Sequence, residues 1–66
     1  MKDQREKLKK YIEYWNEHNS SHLEKLNSRI ELAVEAGLNE VEKKMREAVE
    51  YMNKANDSLL EAFKLL

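Results

Sequence analysis

His18 and His22 are the residues best placed to do chemistry in this chain. Two imidazoles four positions apart lie on one helical face, close enough to grip a single metal ion. Zinc, nickel, copper and haem iron all accept imidazole, so the pair names a class of ion and no particular member. Two ligands make a weak site. In a symmetric dimer the pair is doubled to four imidazoles, or is joined by Glu17 or a water, with Asn19 or Asn56 as hydrogen-bond partners behind the ligands. The plainer reading makes His22 a hydrogen-bonded core histidine and His18 an exposed flank residue.

Other residues offer less. Met45 and Met52 carry thioethers that copper or haem accept, but their spacing of seven is the repeat of a helix core, which makes them filler. Trp15 with Tyr11 and Tyr14 forms an aromatic group beside the histidines, suited to anchoring a contact between helices. Ser20, Ser21, Ser28 and Ser58 have no base and orienting partner at triad spacing, no glycine-rich phosphate loop exists, and no Glu-x-x-His repeat of the di-iron type occurs. Enzymatic activity is not expected. The basic start, Lys2, Arg5, Lys7, Lys9 and Lys10, is interleaved with Asp3, Glu6 and Glu13, so it reads as a solvated face with helix-surface ion pairs. An RNA-binding hairpin dimer is the least favoured reading.

The elements that must position these residues are set by Gly37, the one glycine of 66 residues that include no proline and no cysteine. Leu8, Ile12, Trp15, Asn19, His22, Leu26, Ile30 and Ala33 recur before it at steps of three and four, the period of one helical face. After it, Leu38, Val41, Met45, Ala48, Met52, Ala55, Leu59, Ala62 and Leu66 do the same, and Val49, Leu60 and Phe63 widen the stripe. Gly37 can take the left-handed conformation that closes a helix, Leu38 can fold back on Leu32 or Ala33, and Asn39 with Glu42 has the form of a capping box. The expected fold is all-α: one domain over residues 1–66, an antiparallel two-helix hairpin with helices at about 3–36 and 39–66.

The alternative is a monomeric three-helix bundle with a break near 19–21, because Asn16, Asn19, Ser20 and Ser21 are poor helix formers and Ser21 with Glu24 resembles a cap. The unbroken phase of the stripe from Leu8 to Ala33 favours the hairpin. Folding about Gly37 pairs positions whose numbers sum to about 75, which sets Asn19 near Asn56 and His22 near Met52 and Asn53. A central polar layer of Asn19, His22 and Asn56 follows, flanked by apolar contact positions Leu8, Ile12, Trp15, Leu26, Ile30, Met45, Met52, Leu59 and Phe63. Each buried polar group left unpaired costs about 1–3 kcal/mol, so the layer must satisfy itself or bind something. The leucine-rich end from Leu59 to Leu66 is expected to dock near Leu8 and Tyr11.

Two rods touching along one line leave much apolar surface wet, and a chain this short has no disulfide to brace it. The hairpin is therefore expected to dimerise into a four-helix bundle, with helices of another protein as the alternative cover. The charge balance, 12 basic against 13 acidic residues, gives no field for phosphate backbones or anionic lipid. With no span of roughly 20 apolar residues and no signal-peptide pattern, a cytoplasmic location is expected.

The segment Tyr14-Trp15-Asn16-Glu17-His18-Asn19-Ser20-Ser21-His22 resembles one found in a family of small, largely archaeal prokaryotic helical-hairpin domains, His-Trp-x-Glu-His-Asn-x-x-His before an Ala-Gly turn. Trp15, Glu17, His18, Asn19 and His22 match, as do Ala36 and Gly37, while Tyr14 stands in place of the first histidine. The resemblance implies a helical hairpin and brings no activity with it. The expected function is a non-enzymatic oligomerisation or protein-interaction module with a central polar layer. The runner-up is a small metal- or haem-binding four-helix bundle using His18 and His22 across a dimer.

Overall fold

A computed structural model describes residues 2–66. Helix α1 runs Lys2–Glu35 and helix α2 runs Asn39–Lys64, and they pack side by side as an antiparallel hairpin. Against the expected 3–36 and 39–66, the first helix begins and ends one residue earlier and the second ends two residues earlier.

No break occurs near residues 19–21, so the three-helix alternative is not realised. The poor helix formers there are accommodated by local and cross-helix bonds. Asn16 donates from Nδ2 to the carbonyl oxygen of Ile12 one turn back at 3.1 Å, and Asn19 donates to the other helix. Ser20 and Ser21 are exposed, so their hydroxyls are not buried against the other helix.

The turn is a Schellman motif. Gly37 has φ of 70°, the amide of Leu38 donates to the carbonyl of Ala33 at 3.0 Å, and that of Gly37 donates to Val34 at 3.1 Å. This geometry makes Leu38 the residue that caps α2, with no side-chain bond, and Asn39 already lies inside the helix. The capping box expected of Asn39 and Glu42 therefore does not form. Glu42 accepts instead from Arg46 Nε at 2.9 Å. Leu38 and Leu32 stay exposed, so the chain returns to Ala33 through its backbone and without a leucine clasp.

The seam between the helices is narrow. Ile12, Leu23, Ile30 and Ala33 are the buried apolar residues of α1, whereas α2 has none, its inward row of Met45, Val49, Met52, Leu59 and Phe63 being half-buried. Ile12 and Ile30 stand about five turns apart at 3.6 residues per turn, so they and the residues between them hold one line along the rod. Leu23 belongs to that line; it was absent from the sequence stripe, which placed His22 there. The hairpin measures 53 × 15 × 11 Å with a radius of gyration of 15.6 Å, against about 11 Å for a compact domain of this length. At the open end, Arg5 donates from Nη1 to the carbonyl oxygen of Leu66 at 3.0 Å while Phe63 and Leu66 are half-buried, so the end of the chain lies beside the start of α1; Leu8 and Tyr11, the expected docking positions, stay exposed. Among the described residues no helix is long and apolar enough to cross a membrane.

Candidate functional site

Helical spacing brings His18 and His22 together midway along α1: their Nε2 atoms are 3.0 Å apart and their rings meet edge to face with centroids 4.5 Å apart. Without an ion this contact is a hydrogen bond, in which one ring carries its proton on Nε2 and the other presents a bare Nε2. The pair sits at the end of an aromatic ladder. Tyr14 stacks on His18 at 5.6 Å and 14°, Trp15 lies tilted against His18 at 6.3 Å, and Tyr11 stacks on Trp15 at 6.2 Å and 10°. These neighbours restrict the His18 ring, while both imidazoles remain exposed to solvent.

Exposure of His22 corrects its assignment to the buried polar layer. The layer consists of Asn19 and Asn56 alone: Asn19 donates from Nδ2 to Oδ1 of Asn56 at 2.9 Å, across the helices and at the register expected from folding about Gly37. Asn19 is buried and Asn56 half-buried. Among the described residues no buried side-chain nitrogen or oxygen lacks a partner, so the layer is satisfied without a ligand. His22 instead lines a shallow groove with Leu26, Met45 and Met52, edged by Lys25 and Arg29. Its expected proximity to Met52 is observed; its burial is not.

Glu17, the third metal ligand considered from sequence, points to the opposite flank. It lines a groove with Ile12, Glu13, Asn16, Leu60 and Phe63, and no group of three His, Cys, Asp or Glu residues suited to a metal occurs among the described residues. Within one chain the histidines are a two-ligand site.

The flank that carries the histidine pair is also the more apolar one. Trp15, His22 and Leu26 follow one another at helical spacing on α1, and Leu26 shares a depression of about 490 Å³ with Val41, Met45 and Ala48 of α2. Trp15 is 37% exposed, Val41 47% and Leu8 50%. Glu40 and Lys44 also line that depression, so the apolar surface bridges the two helices between charged margins. On its polar margins, Arg46 pairs with Glu42 and Lys44 with Glu47 at 3.2 Å, contacts within one helix that contribute little in solvent.

Fold and site together define an antiparallel helical hairpin with a two-residue polar clasp at mid-length, an exposed imidazole pair beside it, and one open apolar face. A family model described as a domain of unknown function, DUF8180, matches residues 8–66, and the chain belongs to that family. Comparisons with curated proteins and with solved structures find no match.

Proposed function

We propose that the hairpin is a non-enzymatic association module whose open face is covered by a second copy, giving a four-helix bundle in which the Asn19–Asn56 clasp fixes register. The observation that carries this reading is the area left open. The chain exposes 5544 Å², whereas a compact monomer of 7.9 kDa exposes about 4,400 Å². The excess, roughly 1,100 Å² of polar and apolar surface together, is what the rod exposes beyond a compact fold, and it is large enough to supply the ~800 Å² that each partner contributes to a stable interface of standard size.

The placement of the exposed apolar residues supports the same reading. The sequence stripe through Trp15, His22 and Leu26 on α1, and Val41, Ala48, Ala55 and Ala62 on α2, is centred to one side of the seam the two helices make with each other. A helix that contacts one neighbour needs only a narrow apolar seam; a helix in a four-helix bundle needs a wider one that serves two. Small residues at Ala48, Ala55 and Ala62 let another helix approach closely. Because the face spans both helices and the chain has nearly balanced charge, a self-complementary contact meets no net repulsion.

Thermal melting at several protein concentrations tests the reading. A dimer melts higher as protomer concentration rises, because association is linked to folding by mass action. Val41→Lys, which sets a charge on the open face near the turn end of the rod without touching the hairpin seam, should lower the melting temperature and weaken its concentration dependence. A melting temperature that is the same at every concentration would refute the proposal.

A further inference from the structure

We propose that His18 and His22 form half of a transition-metal site that a second copy completes with the same two side chains, placing four imidazoles around one divalent ion of the copper, nickel or zinc class. The second half of the site rests on the association reading above; the first half rests on the imidazole geometry alone. With metal–nitrogen bonds of about 2.0–2.1 Å, two nitrogens on one ion stand about 2.9 Å apart at a right angle and about 3.3 Å apart at the tetrahedral angle. The observed Nε2 separation of 3.0 Å falls between these values, so the nitrogens need not move apart or together to seat an ion; the rings turn until both lone pairs point about 40° off the line that joins them. The ion takes the place of the shared proton, and the ring that donated it passes to the Nδ1–H tautomer.

The surroundings fit this role. Tyr14 and Trp15 pack against His18 and limit the freedom its ring has to lose when an ion fixes it, which leaves His22 to make most of the adjustment. Solvent exposure of both rings gives an ion direct access. No carboxylate or thiolate joins the pair among the described residues, so the donor set is imidazole only, which suits copper, nickel and zinc and not magnesium or calcium. Lys25 and Arg29 border the groove beside His22 and oppose a cation held by two ligands at the surface. Two further imidazoles supply the missing bonds.

Position along the rod is what makes a second copy able to supply them. The pair lies midway along α1, level with the Asn19–Asn56 clasp and at the edge of the open face. A two-fold axis crossing the rod at mid-length carries residues near the ends to the far end of the partner, but carries residues at the middle onto their own copies. An antiparallel pair of α1 helices therefore sets the two imidazole pairs against each other.

The test is calorimetric titration of metal-stripped protein with copper(II), nickel(II) and zinc(II) salts, each alone, with sedimentation of the same samples. At least one ion should bind with a stoichiometry of one per two chains, and His18→Gln and His22→Gln should each weaken it about tenfold or more while leaving helix content unchanged. Binding of all three ions no tighter than to the double His18→Gln, His22→Gln variant would overturn the site, and so would one ion per chain. The metal-free mass separates the two ideas. A monomer that pairs only at one ion per two chains keeps the site and defeats the association reading, whereas a dimer that binds no ion does the reverse.

Discussion

Replacing Asn56 with leucine should destabilise the hairpin, and replacing Asn19 as well should restore it. The single substitution removes the acceptor of the 2.9 Å bond and leaves the amide of Asn19, 9% exposed, facing an isobutyl group. An unsatisfied buried donor costs about 1–3 kcal/mol. Partial burial of the new leucine returns only part of that, at about 0.8 kcal/mol per buried methylene, so a net loss of about 1 kcal/mol is expected. For a chain of this size that lowers the melting temperature by about 4–8 °C at fixed concentration. Asn19→Leu alone should cost less, because half-buried Asn56 turns to water. The double variant has no polar group to satisfy and should match or exceed the parent, as pairs replaced by apolar residues commonly do. It should also lose uniqueness: without the clasp, one-turn slips of α2 along α1 are no longer penalised, and amide spectra should show more than one set of peaks. Urea titration of the four proteins of the cycle gives the coupling. Effects that add to within about 0.5 kcal/mol would mean that the two amides do not cooperate and would refute the clasp.

Other substitutions test the turn and the seam. Gly37→Ala places a side chain at φ of 70°, where the added methyl meets nothing within 4 Å, so the loss should be conformational alone, about 1–2 kcal/mol by denaturant titration; an unchanged midpoint would contradict the left-handed turn. Ile30→Ala removes a side chain that is 3% exposed and should cost about 2–5 kcal/mol, a large part of the whole stability of a domain this small. Leu65→Ala, at 84% exposure, should change stability by less than about 0.5 kcal/mol, and equal effects from these two leucine-size truncations would contradict the described seam.

The hairpin was legible because its signals are local and agree: one glycine, a stripe that keeps phase on either side of it, and nothing else that stops a helix. Folding about Gly37 then fixed the register closely enough to pair Asn19 with Asn56. What escaped was the division of the stripe. Periodicity records every apolar position a helix presents, whether to its own hairpin partner or elsewhere, so His22 and Leu23, adjacent in sequence, were assigned in the wrong order. The buried line follows 3.6 residues per turn and turns from Asn19 to Leu23 by a step of four, where a strict alternation takes a step of three to His22. The capping box failed for a related reason. Asn39 and Glu42 have suitable spacing, but the Schellman bonds of Gly37 and Leu38 start α2 one residue too early for Asn39 to act as its cap. The imidazole pair was found from spacing alone, and its separation from Glu17 was legible by the same rule: neighbouring residues of one helix stand about 100° apart, which turns Glu17 away from the face that His18 and His22 share.

Sedimentation equilibrium of the metal-free protein measures the central claim most directly. The account predicts a mass of twice 7.9 kDa for the parent, falling toward 7.9 kDa for Val41→Lys. A folded, helical parent that remains at 7.9 kDa at every concentration would contradict it.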